Sequence, residues 1–366
     1  MFHNYYQRSE SISVILLTGL KTSVIKMKKL TTVLIFMTAS LMANCQNNNY
    51  YTYHDYINKA EVFYFLNNNV DSSLYYYRKA FADFKYVFAK DPLIASQIAF
   101  YNNKPYEEFL IKGFEVGLRI EHLSEIKLFN PTYNKLKVDK PLLAEYNNGR
   151  QVYLKSIDFS YRLQMSKEYI ADQKDKSKSN YDKLKFDRMG KLLNLIHSNG
   201  FPGAKKIGID DNNMFSEIGK PEFDADSVFK KYGKELRYLR LDEDILSAKF
   251  IMVILFHNIC AYRELENIVD ELISKGEVHP REIGFLYDNM FVTGKNANLY
   301  CKRPDPDAGA FKLNPYWNYL DIDSSEAKVD SLRKNWHIVP LSVDQAKKYY
   351  ETEFGFKLTF GFWGCM

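Results

Sequence analysis

Apolar side chains recur in this chain at alternating intervals of three and four, a rhythm that suits helices packed on helices. Leu74, Tyr77, Phe81, Phe84 and Phe88 follow one another at 3, 4, 3 and 4 residues, which puts all five on one helical stripe. Ile251, Leu255, Asn258, Tyr262, Leu265, Val269 and Leu272 repeat in the same way and predict a long helix from about Asp244 to Lys275. Phe186, Met189, Leu193 and Ile196 form a third stripe. It should stop at Asn199-Gly200-Phe201-Pro202-Gly203, because Gly supplies a left-handed end and Pro forbids continuation. A fourth helix starts at Pro280 and carries Ile283, Tyr287 and Met290 on one face, with Asp288 beside them. The C-terminus reads differently. Phe354, Phe356, Leu358, Phe360 and Phe362 alternate with small or polar residues, and period two predicts a strand in residues 351–366. That strand would pair with a segment such as Trp336 to Val339, or add to another protein's sheet. The expected fold is therefore mainly α: helical hairpins, then a helical module with a small C-terminal β element.

Residues 55–129 resemble tetratricopeptide repeats. Asp71 reads as an N-cap, and Asp91-Pro92 restarts the chain with proline in a first helical turn. Ala60 and Tyr64 suit one first helix, and Ala95 and Ala99 the next. Asn69-Val70-Asp71 and Asn103-Lys104-Pro105 suit the turns, and Ala80 and Gly113 fall 33 residues apart, close to the repeat's expected length. A non-repetitive helical bundle is the other reading. Tyr75, Tyr76, Tyr77 and Tyr86 would line a peptide-binding concavity in the first case and be half-buried packing in the second. Residues 130–150, with Pro131, Pro141 and Asn147-Asn148-Gly149, read as a linker, and residues 151–350 as a second, helical module.

The start of the chain carries an address. Residues 1–26 read as a non-native or disordered leader. From Met27 the sequence MKKLTTVLIFMTASLMANCQ has the layout of a secretory signal peptide over residues 27–44, with Lys28 and Lys29, then an apolar stretch too short for a comfortable membrane span. Cys45 after Met42-Ala43-Asn44 resembles a bacterial lipoprotein cleavage site, which implies a lipid on Cys45 and a polar tether over residues 45–54. Cleavage after Ala43, or an uncleaved anchor, are the alternatives. Five cations against Glu10 in residues 1–44 hold most of the chain's charge of +5. A near-neutral body gives no argument for nucleic acid as a partner. With 366 residues, 46% hydrophobic and 26% charged, the composition excludes a wholly disordered chain, collagen and a multi-span membrane protein. Of the other cysteines, Cys260 sits in an apolar run and reads as buried, while Cys301 and Cys365 could pair in an oxidising compartment.

Roughly residues 160–350 resemble a bacterial family classed as a domain of unknown function (family 6624). The resemblance rests on Asp172-Gln173-Lys174-Asp175, Gly200-Phe201-Pro202-Gly203 with Ile207-Gly208, His257 in an apolar helix, Gly276-Glu277-Val278-His279-Pro280, Leu286-Tyr287-Asp288, Gly294-Lys295, Tyr300 and Val329-Asp330-Ser331-Leu332-Arg333. It implies a polar cluster around those residues. The chain departs from the pattern at Phe256, at Asn289 and at Cys301-Lys302-Arg303, three places where the family carries polar residues of that cluster.

His257 and Asp288, with Tyr300, are the candidate catalytic residues, because a carboxylate that orients an imidazole makes a general base. The plainer reading is a buried histidine satisfied by Asp288 or a carbonyl. No Gly-x-Ser-x-Gly turn supplies a nucleophile. No His-Glu-x-x-His, calcium loop or phosphate loop occurs, so no metal and no cofactor is expected. The leading expectation is an exported lipoprotein, periplasmic or on the cell surface and anchored to the bacterial outer membrane. Its helices would act as an interaction scaffold, with another envelope protein as a partner of the N-terminal helices. A hydrolase-type enzyme built on His257 and Asp288 is the rival.

Overall fold

Asn68 and Asn103 both adopt positive φ, 52° each, a conformation asparagine tolerates better than most side chains. Each turns a helical hairpin in this computed structural model, which describes residues 49–209, 213–232, 246–293, 306–314, 317, 319, 322 and 325–359. Helix α1 (Tyr50–Phe65) is followed by α2 (Val70–Asp83), and α3 (Lys90–Tyr101) by α4 (Glu107–Phe114). The two hairpins are offset by 35 residues, and Ala60 and Ala95, like Leu74 and Phe109, are buried pairs at that offset. Two details differ from expectation. The cap of α2 is Asn69, whose Oδ1 accepts from Ser72 N at 3.0 Å, and Asp71 lies inside the first turn. The helix also ends at Asp83, because Phe84 turns to extended backbone; Phe84 and Phe88 still reach the core, but from the connection.

The expected linker at residues 130–150 is helical instead: α5 (Asn130–Leu136) and α6 (Lys140–Ser156) fill it. Pro131 and Pro141 sit in first turns, where no N–H is needed, and Asp139 caps α6 by accepting from Leu142 N. Two longer helices, α7 (Phe159–Asp175) and α8 (Tyr181–Asn199), come next, then the short α9 (Ala204–Ile207), α10 (Met214–Glu217) and α11 (Ala225–Tyr232). Gly200, with φ 77°, ends α8 where the sequence places the stop.

The expected long helix over residues 244–275 is three pieces, α12 (Lys249–His257), α13 (Ala261–Leu265) and α14 (Val269–Ser274). Asn258 breaks it: its backbone leaves the helical region and its Oδ1 accepts from Cys260 N at 3.0 Å, an asparagine side chain competing with the helix for a backbone donor. Then come α15 (Pro280–Thr293), α16 (Glu326–Asn335) and α17 (Leu341–Phe354). The fold is mainly α. No strand occurs among the described residues. The expected C-terminal β element is therefore corrected over residues 354–359: Phe354 closes α17 and Gly355 is left-handed. Side chains partner the backbone that follows. Lys357 N donates to Gln97 Oε1 and Lys357 O accepts from Gln97 Nε2, both at 2.7 Å, while Leu358 N and Thr359 N donate to Glu351 Oε1. Residues 360–366 lie outside the described residues.

Two apolar cores result. One joins α7, α8 and α12 to α15. The other is built on α1 to α6 and also takes Val339, Val343, Phe356 and Leu358 from the far end of the chain.

Candidate functional site

His257 is the last residue of α12, where the break at Asn258 leaves its ring at the edge of the core. Its Nδ1 lies 2.6 Å from Asp172 Oδ2 on α7, with the imidazole N–H donating to the carboxylate. The histidine side chain is 16% exposed and the aspartate 2%. Asp172 also accepts from Tyr181 Oη at 3.2 Å and from Arg188 at 3.3 Å, both on α8. Arg188 reaches on to Asp175 Oδ2 at 2.5 Å, and Lys178 to Asp175 Oδ1 at 2.7 Å. Burial opposes ionisation of Asp175, but the Lys178 and Arg188 cations outweigh it and hold its carboxyl below the usual range. Burial and the Asp172 charge together push the Tyr181 phenol up. A histidine held at Nδ1 by a fixed carboxylate, with Nε2 meeting no partner among the described residues, is an oriented proton acceptor.

The expected partner of His257 was Asp288, and this is corrected. Asp288 lies wholly inside α15 and accepts from Phe311 N at 2.7 Å, Leu313 N at 2.9 Å and Tyr319 Oη at 3.1 Å. Burial raises its carboxyl to about 6 against those three donors. It fastens the segment after α15 to the helix. Tyr300, Cys45, Cys301 and Cys365 lie outside the described residues. Cys260 is buried and disulfide-bonded.

Two segments far apart in the sequence meet at a turn. Gly203, the residue before α9, packs so closely on the carbonyl of Glu277 that a methyl group there would collide with it. Phe201 N donates to Glu277 Oε2 at 3.2 Å. The glycine-aromatic-proline turn and the Gly276-Glu277 turn are therefore halves of one joint. The Asp172–His257 pairing was not readable in advance, because 85 residues separate the two; the signal present was the acidic segment Asp172-Gln173-Lys174-Asp175 itself.

Of a second polar region, His279 alone was singled out in the sequence as a polar-site residue. A cavity of about 1070 Å³ lies between α1 and α3 on one side and α15, α17 and residues 355–359 on the other. It is lined by His54, Lys90, Asp91, His279 and Arg281 among others. Its signals in sequence were faint: a histidine within the aromatic run Tyr50-Tyr51-Thr52-Tyr53-His54, and the opposed pair Lys90-Asp91 before a proline. Among the described residues no group of three or more His, Cys, Asp or Glu side chains could hold a metal ion, and no helix is long and apolar enough to cross a membrane.

No protein-family model matches the chain, and no curated protein and no solved structure matches it.

Proposed function

We propose that this chain is an exported, lipid-anchored protein of the bacterial cell envelope whose helical body is an interaction scaffold. The observation that supports the scaffold is the outer face of the first hairpin. Phe63 and Tyr76 stack at 5.6 Å, Tyr56 and Tyr75 flank Tyr76, and Lys59 and Lys79 lie over the rings of Tyr76 and Tyr56. Tyr75 is 57% exposed. Exposed aromatic side chains are enriched at protein-binding surfaces, whose rims are polar. Tyr77, by contrast, is sealed in the core, so the tyrosine series divides between contact and packing. Export draws support from the signal-like segment before Cys45. Labelling cells with radioactive palmitate tests the anchor: the wild type takes up label and Cys45→Ala does not, and equal labelling ends the lipoprotein reading. A photo-crosslinking residue at Tyr75 tests the scaffold. It should join the chain to one discrete envelope protein, whereas no adduct at Tyr75 would remove that surface as an interface.

His257 held by Asp172 favours a second reading, an enzyme in which His257 is the base and Asp172 the residue that orients it. Asp288 has no part in this version. His257→Ala and Asp172→Asn variants that melt like the wild type yet abolish the cellular phenotype would establish it; variants that merely melt lower would leave the pair a structural tie. We also read residues 160–350 as a relative of family 6624, a reading supported by the meeting of Asp172 with His257 and of Gly203 with Glu277.

A further inference from the structure

The charged groups around the 1070 Å³ cavity are largely satisfied by one another. Glu61 pairs with Lys347. Asp344 is bound by Arg281 at 3.0 Å and by Arg333 at 2.7 Å. Asp91 accepts from Tyr53 Oη at 2.6 Å. Glu351 is held by Leu358 N and Thr359 N, and Glu125 is exposed, so the buried acceptors are filled and the remaining buried capacity is on the donor side. Lys90, half-buried at the start of α3, makes no hydrogen bond or ion pair among the described residues. His279 Nδ1 accepts from Arg281 N at 3.1 Å, so the neutral ring carries its proton on Nε2, which has no partner there. His54 is 1% exposed, and its Nε2 has no hydrogen-bond partner. The two imidazoles lie edge to face with centroids 4.8 Å apart. Burial, reinforced by the Lys90 charge, keeps both rings neutral, and burial lowers the Lys90 ammonium to about 8 despite Asp91 beside it. A half-buried ammonium beside unmatched imidazole nitrogens, with the buried carboxylates already engaged, forms a site for an anion. Apolar side chains line much of the remaining wall, among them Ile57, Ile94, Leu313, Trp317, Ile338 and Phe356, alongside polar ones such as Glu125, Gln345 and Thr359.

We propose that this cavity binds an organic monocarboxylate with an apolar body, the carboxylate received by the Lys90 ammonium beside the imidazoles of His54 and His279. A cation would meet the Lys90 charge and find its counter-ions taken. An uncharged molecule of the same shape would leave Lys90 and the His54 nitrogen unmatched, which is costly in a buried site. The volume suits a ligand of ordinary small-molecule size. The inference does not depend on the scaffold reading or on the His257 pair.

Calorimetric titration of the full chain tests it with three probes of one shape: octanoate, octanol and octylamine. Octanoate should bind saturably, at least about tenfold more tightly than octanol, with octylamine weaker still. Lys90→Met should weaken octanoate about tenfold or more and leave octanol within about twofold, while Lys90→Arg keeps most of the affinity. Octanol or octylamine binding as well as octanoate would overturn the proposal, as would the absence of saturable octanoate binding up to about 1 mM. The ranking of probes on the unaltered chain decides the question even where the Lys90→Met variant does not fold.

Discussion

At the scale of single residues, the two members of the expected pair have separate tasks. Asp288 gathers two backbone N–H groups and a phenol in a fully buried position. Asp288→Ala strands those donors, so chemical denaturation at neutral pH should show a loss of about 2–4 kcal/mol. Its titration adds a second expectation. The unfolded carboxyl loses its proton near 4, whereas in the fold burial holds it to about 6. Between these values the folded chain keeps a proton that the unfolded chain has shed. The contribution of Asp288 to stability therefore falls as pH rises from about 4 to about 6, and is flat above. Asp91, also raised to about 6 by burial, shares that window, so the informative quantity is the wild-type profile minus that of Asp288→Asn. A difference independent of pH across the window would refute the assignment. Asp288 was legible as a residue beside an apolar helix face. Its task was not, because its partners are backbone amides of Phe311 and Leu313, which carry no side-chain signature.

Among the elements, the existence of helices was legible and their ends often were not. The stripe on α15 was read from spacing alone, as was that on α8 except for Phe186, which is 52% exposed while Leu192 is buried in its stead, and the stop at Gly200 came from glycine chemistry. The break at Asn258 hid inside an unbroken apolar period, since Leu255, Tyr262 and Leu265 stay buried whether or not the helix is continuous. In the same way Pro131 and Pro141 looked like linker residues because a proline that opens a helix and one that interrupts it are the same letter. Two alanine substitutions separate packing from propensity. Gly203→Ala drives a methyl into the carbonyl of Glu277 and should cost about 1–3 kcal/mol by opening the joint between the α8–α9 and α14–α15 turns. Gly190→Ala, within α8 and with nothing within 4 Å of the added carbon, should stabilise the chain by about 0.5–1 kcal/mol. Thermal melts of the two variants should therefore move in opposite directions from the wild type. Shifts of the same sign would mean that the turn at Gly203 yields freely.

In the molecule as a whole, direct contacts join the expected N-terminal array to the end of the C-terminal module. Gln97 on α3 holds the backbone of Lys357, and Val339, Val343 and Phe356 complete the core that α1 to α6 begin. Glu61 on α1 and Lys347 on α17 form an ion pair with both side chains at most 8% exposed. No local pattern announces such a pair, because each partner is an ordinary helix residue until the chain closes over 286 positions. Its energetics make the closure measurable. Glu61→Gln leaves the Lys347 ammonium buried without its counter-charge and should cost about 3–5 kcal/mol, as an uncompensated buried charge does. Adding Lys347→Met removes the stranded charge and should recover most of that loss. If the two ends unfold independently, the single and double variants will differ little and a fragment starting at residue 151 will melt cooperatively by itself. If they form one unit, fluorescence and circular dichroism will report a single coincident transition for the full chain. The fragment, deprived of the partners of Val339, Val343 and Phe356, will then show none.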